Sequence, residues 1–154
     1  GEVFGYEALS RGPRGSTLQS PAALFGVADE VGLTFELDRA CFRRALRSAV
    51  GLEPVHRLFL NLLPLSFYDG AFIEIEIGYL LQAAGLTPAN IVFEITEKLA
   101  IENFGAFRRA LQAYAAMGFG VAIAIAPLEP HLIEAPSSAR GGPRWAGQAL
   151  SKMR

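Results

Sequence analysis

Apolar positions along this chain fall into short continuous runs separated by stretches of helical spacing. Val3 to Leu9 reads as a first strand, ended by the turn-rich run Gly12-Pro13-Arg14-Gly15-Ser16. Ser20-Pro21 opens a helix, with Ser20 able to cap and Pro21 suited to the first helical position. Leu24, Phe25, Ala28 and Val31 follow at helical spacing, and Gly32 stops that helix. A second helix is predicted from about Phe35 to Val50, with Leu37, Cys41, Ala45 and Ala49 on one side. Arg39, Arg43 and Arg47 lie on another side and read as a solvated face. His56 to Leu65 contains the apolar run Leu58 to Leu63, closed by Pro64. Phe72 to Ala84 reads as helical up to Gly85, Asn90 to Ile95 as apolar again, and Phe104 to Met117 as an amphipathic helix closed by Gly118. Val121 to Ala126 is the last apolar run.

Strands alternating with helices predict an α/β fold with a parallel sheet covered by helices. Continuous apolar runs are what strands buried on both faces require. From about Ala124 the composition shifts to Pro, Gly, Ser and Arg, and residues beyond about 135 read as loop or disorder with a short helical turn near Ala146 to Lys152.

Composition narrows the function classes. The 154 residues suffice for one ordinary domain, and 51% hydrophobic against 19% charged content calls for a sizeable core. A formal net charge of -1 gives no general attraction to nucleic acid or to an anionic membrane, so an anionic ligand needs a local site. No apolar run reaches the roughly 18–20 residues of a membrane span. The single cysteine, Cys41, excludes an intrachain disulfide and reads as a small buried hydrophobe, which suits a cytoplasmic protein. The chain begins without Met, inside a strand pattern, and is expected to be a piece of something longer.

Three polar residues interrupt apolar strands: Glu7, Asn61 and Glu94. A buried carboxylate needs a partner or a cation. Neighbouring parallel strands would bring these oxygens to one end of the sheet, where α/β folds build their sites. Such oxygens are the hard ligands that Mg²⁺, Ca²⁺ or Mn²⁺ prefer. A hard-metal site and a polar core network both satisfy that pattern.

Longer motifs carry a resemblance. Gly5-Tyr6-Glu7-Ala8-Leu9-Ser10-Arg11 resembles the opening of EAL domains, the cyclic-di-GMP phosphodiesterase family. Ser20-Pro21 with Leu24-Phe25, Ala28 and Gly32-Leu33 resembles the family's first helix, and Glu36-Leu37-Asp38-Arg39 the start of its second. Phe59-Leu60-Asn61-Leu62-Leu63-Pro64 is similar to its asparagine strand, Phe93-Glu94-Ile95-Thr96-Glu97 to its glutamate strand, and Met117 to Ile123 to the lead into its fourth core strand.

The resemblance implies a TIM-like (β/α) barrel whose first strand departs from the all-parallel pattern. It also implies hydrolysis of cyclic-di-GMP to linear pGpG with two Mg²⁺ or Mn²⁺ ions, set roughly 4 Å apart. Carried over, Glu7, Asn61 and Glu94 would be metal ligands. Arg11 would contact a ligand phosphate, Leu9 would pack near the dinucleotide, and Glu97 would anchor a loop beside the metal.

The family then places two adjacent aspartates that bridge both metals, and here those positions fall on Ala124 and Ile125. The only lysines, Lys98 and Lys152, stand outside the strand that carries the family's later lysine. The family's water-activating glutamate, later strands and preceding stretch with a ligand-binding glutamine are also missing, leaving the chain roughly 100 residues short of a complete barrel. The sequence therefore predicts a partial barrel over residues 1–126 with about four core strands, an irregular tail over 127–154, and no turnover by this chain. At most one metal site is expected. The alternative is a degenerate module binding cyclic-di-GMP or a protein partner without catalysis. Open sheet edges predict self-association.

Overall fold

The computed structural model describes residues 3–96, 104–124 and 148–153. In chain order they form β1 (Gly5–Ser10), α1 (Pro21–Glu30), α2 (Thr34–Ser48), β2 (Arg57–Asn61) and a short α3 (Pro64–Phe67). A π-helical segment (Phe72–Ile77) runs directly into α4 (Gly78–Ala84). Then come a 3₁₀ turn (Pro88–Asn90), β3 (Ile91–Thr96), α5 (Phe104–Met117), β4 (Gly120–Ala124) and β5 (Gln148–Met153).

Local chemistry sets these boundaries. Ser20 accepts a hydrogen bond from the Ala23 amide at 3.2 Å and caps α1, with Pro21 behind it. Gly85 and Gly118 take φ of 71° and 91°, the left-handed conformation that ends α4 and α5.

Among the described residues one sheet holds every strand, in the order β4-β3-β2-β1-β5. β1 to β4 are mutually parallel, and β5 runs antiparallel to β1. This corrects two expectations. The chain's first strand does not depart from the parallel pattern; β5 does. Residues 148–153, read as part of an irregular tail with a helical turn, form a strand instead. The rest of that tail, 127–147 and Arg154, lies outside the described residues.

Side chains alternate across each strand, so the register divides the sheet into two faces. Leu58 and Leu60 of β2 join Ile91, Phe93 and Ile95 of β3 in the core with Phe42, Leu46, Ile73, Ile77, Phe107 and Tyr114 from the helices. The Phe93 ring is the hub, with centroids 5.0 Å from Phe119, 5.5 Å from Tyr114 and 6.1 Å from Phe42. Tyr114 resolves the cost of burying its hydroxyl by donating to the Phe67 carbonyl, and burial raises its pKa. Asn90, also buried, donates to the carbonyls of Pro54 and His56 and so ties the entry of β3 to that of β2.

The opposite face carries Glu7, Phe59, Asn61, Val92 and Glu94. Phe59 is buried, but Val92 and Glu94 are only half-buried and Asn61 is exposed. Burial on both faces, read from the apolar runs, therefore holds at Phe59 and fails at the strand ends.

The arginine face of α2 also differs from expectation. Arg39 and Arg43 both pair with Glu76 of the π-helical segment, and the Arg39 guanidinium lies 4.7 Å from the Phe72 ring centroid and 5.2 Å from that of Phe35. Burial pushes the Glu76 carboxyl up, but bonds from Arg43 and Arg39 outweigh it and hold the group below its ordinary value. Arg47 alone of the three remains exposed. The wide turn explains this link: Ile73 and Ile77 face the core, while Glu76 turns to α2.

Candidate metal centre

Three neighbouring strands assemble the interrupting residues: Glu7 stands midway along β1, Asn61 ends β2, and Glu94 lies in the second half of β3. The register pairs Glu7 with Phe59, and Asn61, two residues on, with Glu94. All three therefore stand on the sheet face opposite the one that carries Leu58, Leu60, Ile91 and Phe93. The Asn61 side-chain nitrogen donates to Glu7 Oε1 at 3.1 Å. The Leu62 amide donates to the Glu94 carbonyl at 2.9 Å and keeps the two strand ends together.

Burial raises the pKa of the Glu94 carboxyl, and the negative charge of Glu7 raises it further. One amide donor cannot neutralise two carboxylates. A divalent cation would, and turning the Asn61 amide would present its oxygen as a third hard ligand. The donor set fits Mg²⁺ or Mn²⁺. Proton competition has a definite sign: a cation needs Glu94 deprotonated, so Mn²⁺ affinity should fall as pH drops through the raised Glu94 value. Titrations at pH 7.5 and 5 check this, and equal affinity at both would contradict it.

Beside this cluster lies a cavity of about 170 Å³, whose walls include Leu9, Asn61, Phe25, Asp38 and Cys41. Leu9 is thus brought to the site. Arg11 follows directly in the loop, half-buried, with one guanidinium nitrogen donating to the Ser10 carbonyl at 3.0 Å. A guanidinium has five N–H donors, so that bond does not exhaust it. Glu97 and Ile125 lie outside the described residues. Ala124 is the last residue of β4, two beyond Ala122, the register partner of Glu94. Alanine offers no ligand atom there.

Asp38, within the Glu36-Leu37-Asp38-Arg39 motif, has a structural role that its sequence position did not reveal. It is 3% exposed, accepts a hydrogen bond from the Ser66 hydroxyl and one from the Leu63 amide, and joins α2 to the segment after Asn61. Its signal was an acidic residue in helical register with Phe42 and Ala45, a buried side of α2. Burial raises its pKa from 3.8 to about 6, the two hydrogen bonds opposing the rise. The fold therefore prefers Asp38 protonated, and its ionisation costs stability as pH rises from about 4 to 6. Asp38→Asn removes that cost. Relative to the parent, urea unfolding should show the variant gaining about 2–3 kcal/mol between pH 4 and pH 7.5. A difference independent of pH would refute this.

Cys41 forms part of the cavity wall, half-buried, and burial raises its thiol pKa against a hydrogen bond with Ser10. That environment disfavours the nucleophilic thiolate. No described helix is long and apolar enough to cross a membrane.

A family model, the EAL domain, matches residues 1–125. The cyclic di-GMP phosphodiesterase PdeF of Escherichia coli is 28% identical over 126 residues, covering 80% of this chain and 17% of PdeF. Among solved structures, Klebsiella pneumoniae BlrP1 in a manganese and cyclic-di-GMP complex is 32% identical with a TM-score of 0.64, covering 79% of this chain and 30% of that one. The FimX EAL domain of Pseudomonas aeruginosa, bound to cyclic-di-GMP, is 28% identical with a TM-score of 0.64 over 80% of this chain and 50% of that one. The chain thus spans half or less of these proteins.

Proposed function

Since the chain belongs to the EAL domain family, its sheet being part of a TIM-like barrel, we propose that it holds one divalent cation, Mg²⁺ or Mn²⁺, and cyclic-di-GMP without hydrolysing it. The observation that carries this reading is the clustering of Glu7, Asn61 and Glu94 on one sheet face, with the Glu94 carboxyl raised by burial and then by Glu7. Glu7, Asn61 and Glu94 would ligate the cation, which when bound would polarise a phosphoryl oxygen. Arg11 would take a phosphate oxygen, Leu9 would pack against the dinucleotide, and Glu97 would anchor the adjoining loop. Ala124 and Ile125 supply no ligand for a second ion, so the parent activity would be phosphodiesterase hydrolysis to pGpG and this chain its inactive portion. Residues 1–126 would form the EAL unit and 127–154 an appendage, acting in the cytoplasm.

Calorimetry with cyclic-di-GMP and Mn²⁺, paired with an assay for pGpG, tests this. Metal-dependent binding without product is expected. Metal-dependent turnover would overturn the reading of Ala124 and Ile125, and absence of binding would favour a protein-interaction module.

The outer edge of β4 has no strand partner among the described residues, and Ile123 on it is 49% exposed. Such an edge favours self-association. Light scattering should show species larger than a monomer at tens of micromolar; a clean monomer with a sharp melt would contradict this.

A further inference from the structure

We propose that the outer edge of β1 is a strand-docking surface whose occupant is the chain's own hexapeptide Gln148–Met153, and that docking holds the Glu7 strand in register. β2 takes one side of β1, and the other side offers its backbone N–H and C=O groups to β5. The hexapeptide pairs with all of β1, from Gly5↔Met153 through Glu7↔Ser151 to Ser10↔Gln148. The parallel pairing of β1 with β2 spans only Gly5 to Ala8. Leu9 and Ser10, which lead from Glu7 towards Arg11, therefore have β5 and not β2 as their strand partner. The backbone of α2 also comes close to that of β5.

The order of cause is readable from composition. Gln-Ala-Leu-Ser-Lys-Met contains no β-branched or aromatic residue, so its intrinsic strand preference is weak. An edge that needs hydrogen-bond partners makes it a strand. Antiparallel pairing requires no crossover helix, which lets a segment arriving from the far end of the sequence add to an otherwise parallel sheet.

The full chain carrying Leu150→Pro and Ser151→Pro tests it. Alternate residues of a paired strand face the partner, so one of two consecutive prolines removes a donor to β1 whatever the register phase. Hydrogen exchange of the peptides covering β1 should accelerate about tenfold or more, with β2 and β3 unchanged as an internal record that the core is intact. Unchanged β1 protection would overturn the proposal. A second variant does not depend on tolerating proline. Tyr6 and Lys152 are register partners, so Tyr6→Cys/Lys152→Cys in a Cys41→Ser background should close a disulfide within one chain under mild oxidation. Absence of a bridge would overturn the register. A bridge between two chains would replace docking in cis by strand exchange and equally overturn the proposal.

Discussion

Replacing Glu94 with alanine should weaken Mn²⁺ binding by at least about 100-fold, because metal affinity falls by 10–100-fold even when only the groups supporting a ligand are lost. Glu94 is half-buried and its charge is disfavoured twice, first by burial and then by Glu7. A carboxylate so placed gains most when a cation arrives. The same geometry makes stability without metal move the other way. Glu94→Gln keeps the shape, removes the repulsion from Glu7, and should leave the metal-free protein as stable as the parent or slightly more so. Thermal melts with EDTA and with excess Mn²⁺ separate the two effects. The parent should gain stability from the ion by mass action, and both variants should not. An equal Mn²⁺-dependent gain in Glu94→Ala would show that the cluster is a polar network and not a metal centre.

Phe93→Ala should destabilise the chain by about 3–5 kcal/mol, the usual cost of deleting a buried ring. Phe93 has no exposed surface, and its ring meets Phe42 from α2, Tyr114 from α5 and Phe119 just before β4. The hole would therefore be shared by elements from most of the fold, which limits how far any one can relax into it. A domain of this size has roughly 5–15 kcal/mol in all, so the cooperative melt should largely disappear near body temperature. Phe93→Leu, which refills part of the volume, should cost clearly less. Urea unfolding of the two variants measures both. A loss below about 1 kcal/mol in Phe93→Ala would mean the aromatic cluster is not the structural hub.

Glu94 and Phe93 are adjacent residues with opposite fates, and the sequence already separated them. Period-two alternation puts neighbours of a strand on opposite faces, so a carboxylate inside Ile-Val-Phe-Glu-Ile had to face something other than the helix-packed core. The parallel β-α succession, the Ser20 cap and the EAL motifs were legible for the same reason: each depends on residues close together in the chain. Three features were not. Arg39 and Arg43 lie over thirty positions from Glu76, and only the π-helical turn brings that carboxylate to them. Asp38 looked like one acid among several until burial raised its pKa against the hydrogen bond from Ser66. Gln148–Met153 has little preference for a strand and becomes one through pairing with an edge made at the other end of the sequence.

By itself, then, the sequence determined the family, the layered α/β pattern and that Glu7, Asn61 and Glu94 stand apart from the apolar strand positions around them, because alternation and motif spacing are local properties. Tertiary structure alone decided that Glu7 and Asn61 touch, that Glu7 perturbs Glu94, and that the sheet's antiparallel strand is its last and not its first. Each of those rests on distances between segments remote in sequence, and such distances are fixed only when the chain closes on itself.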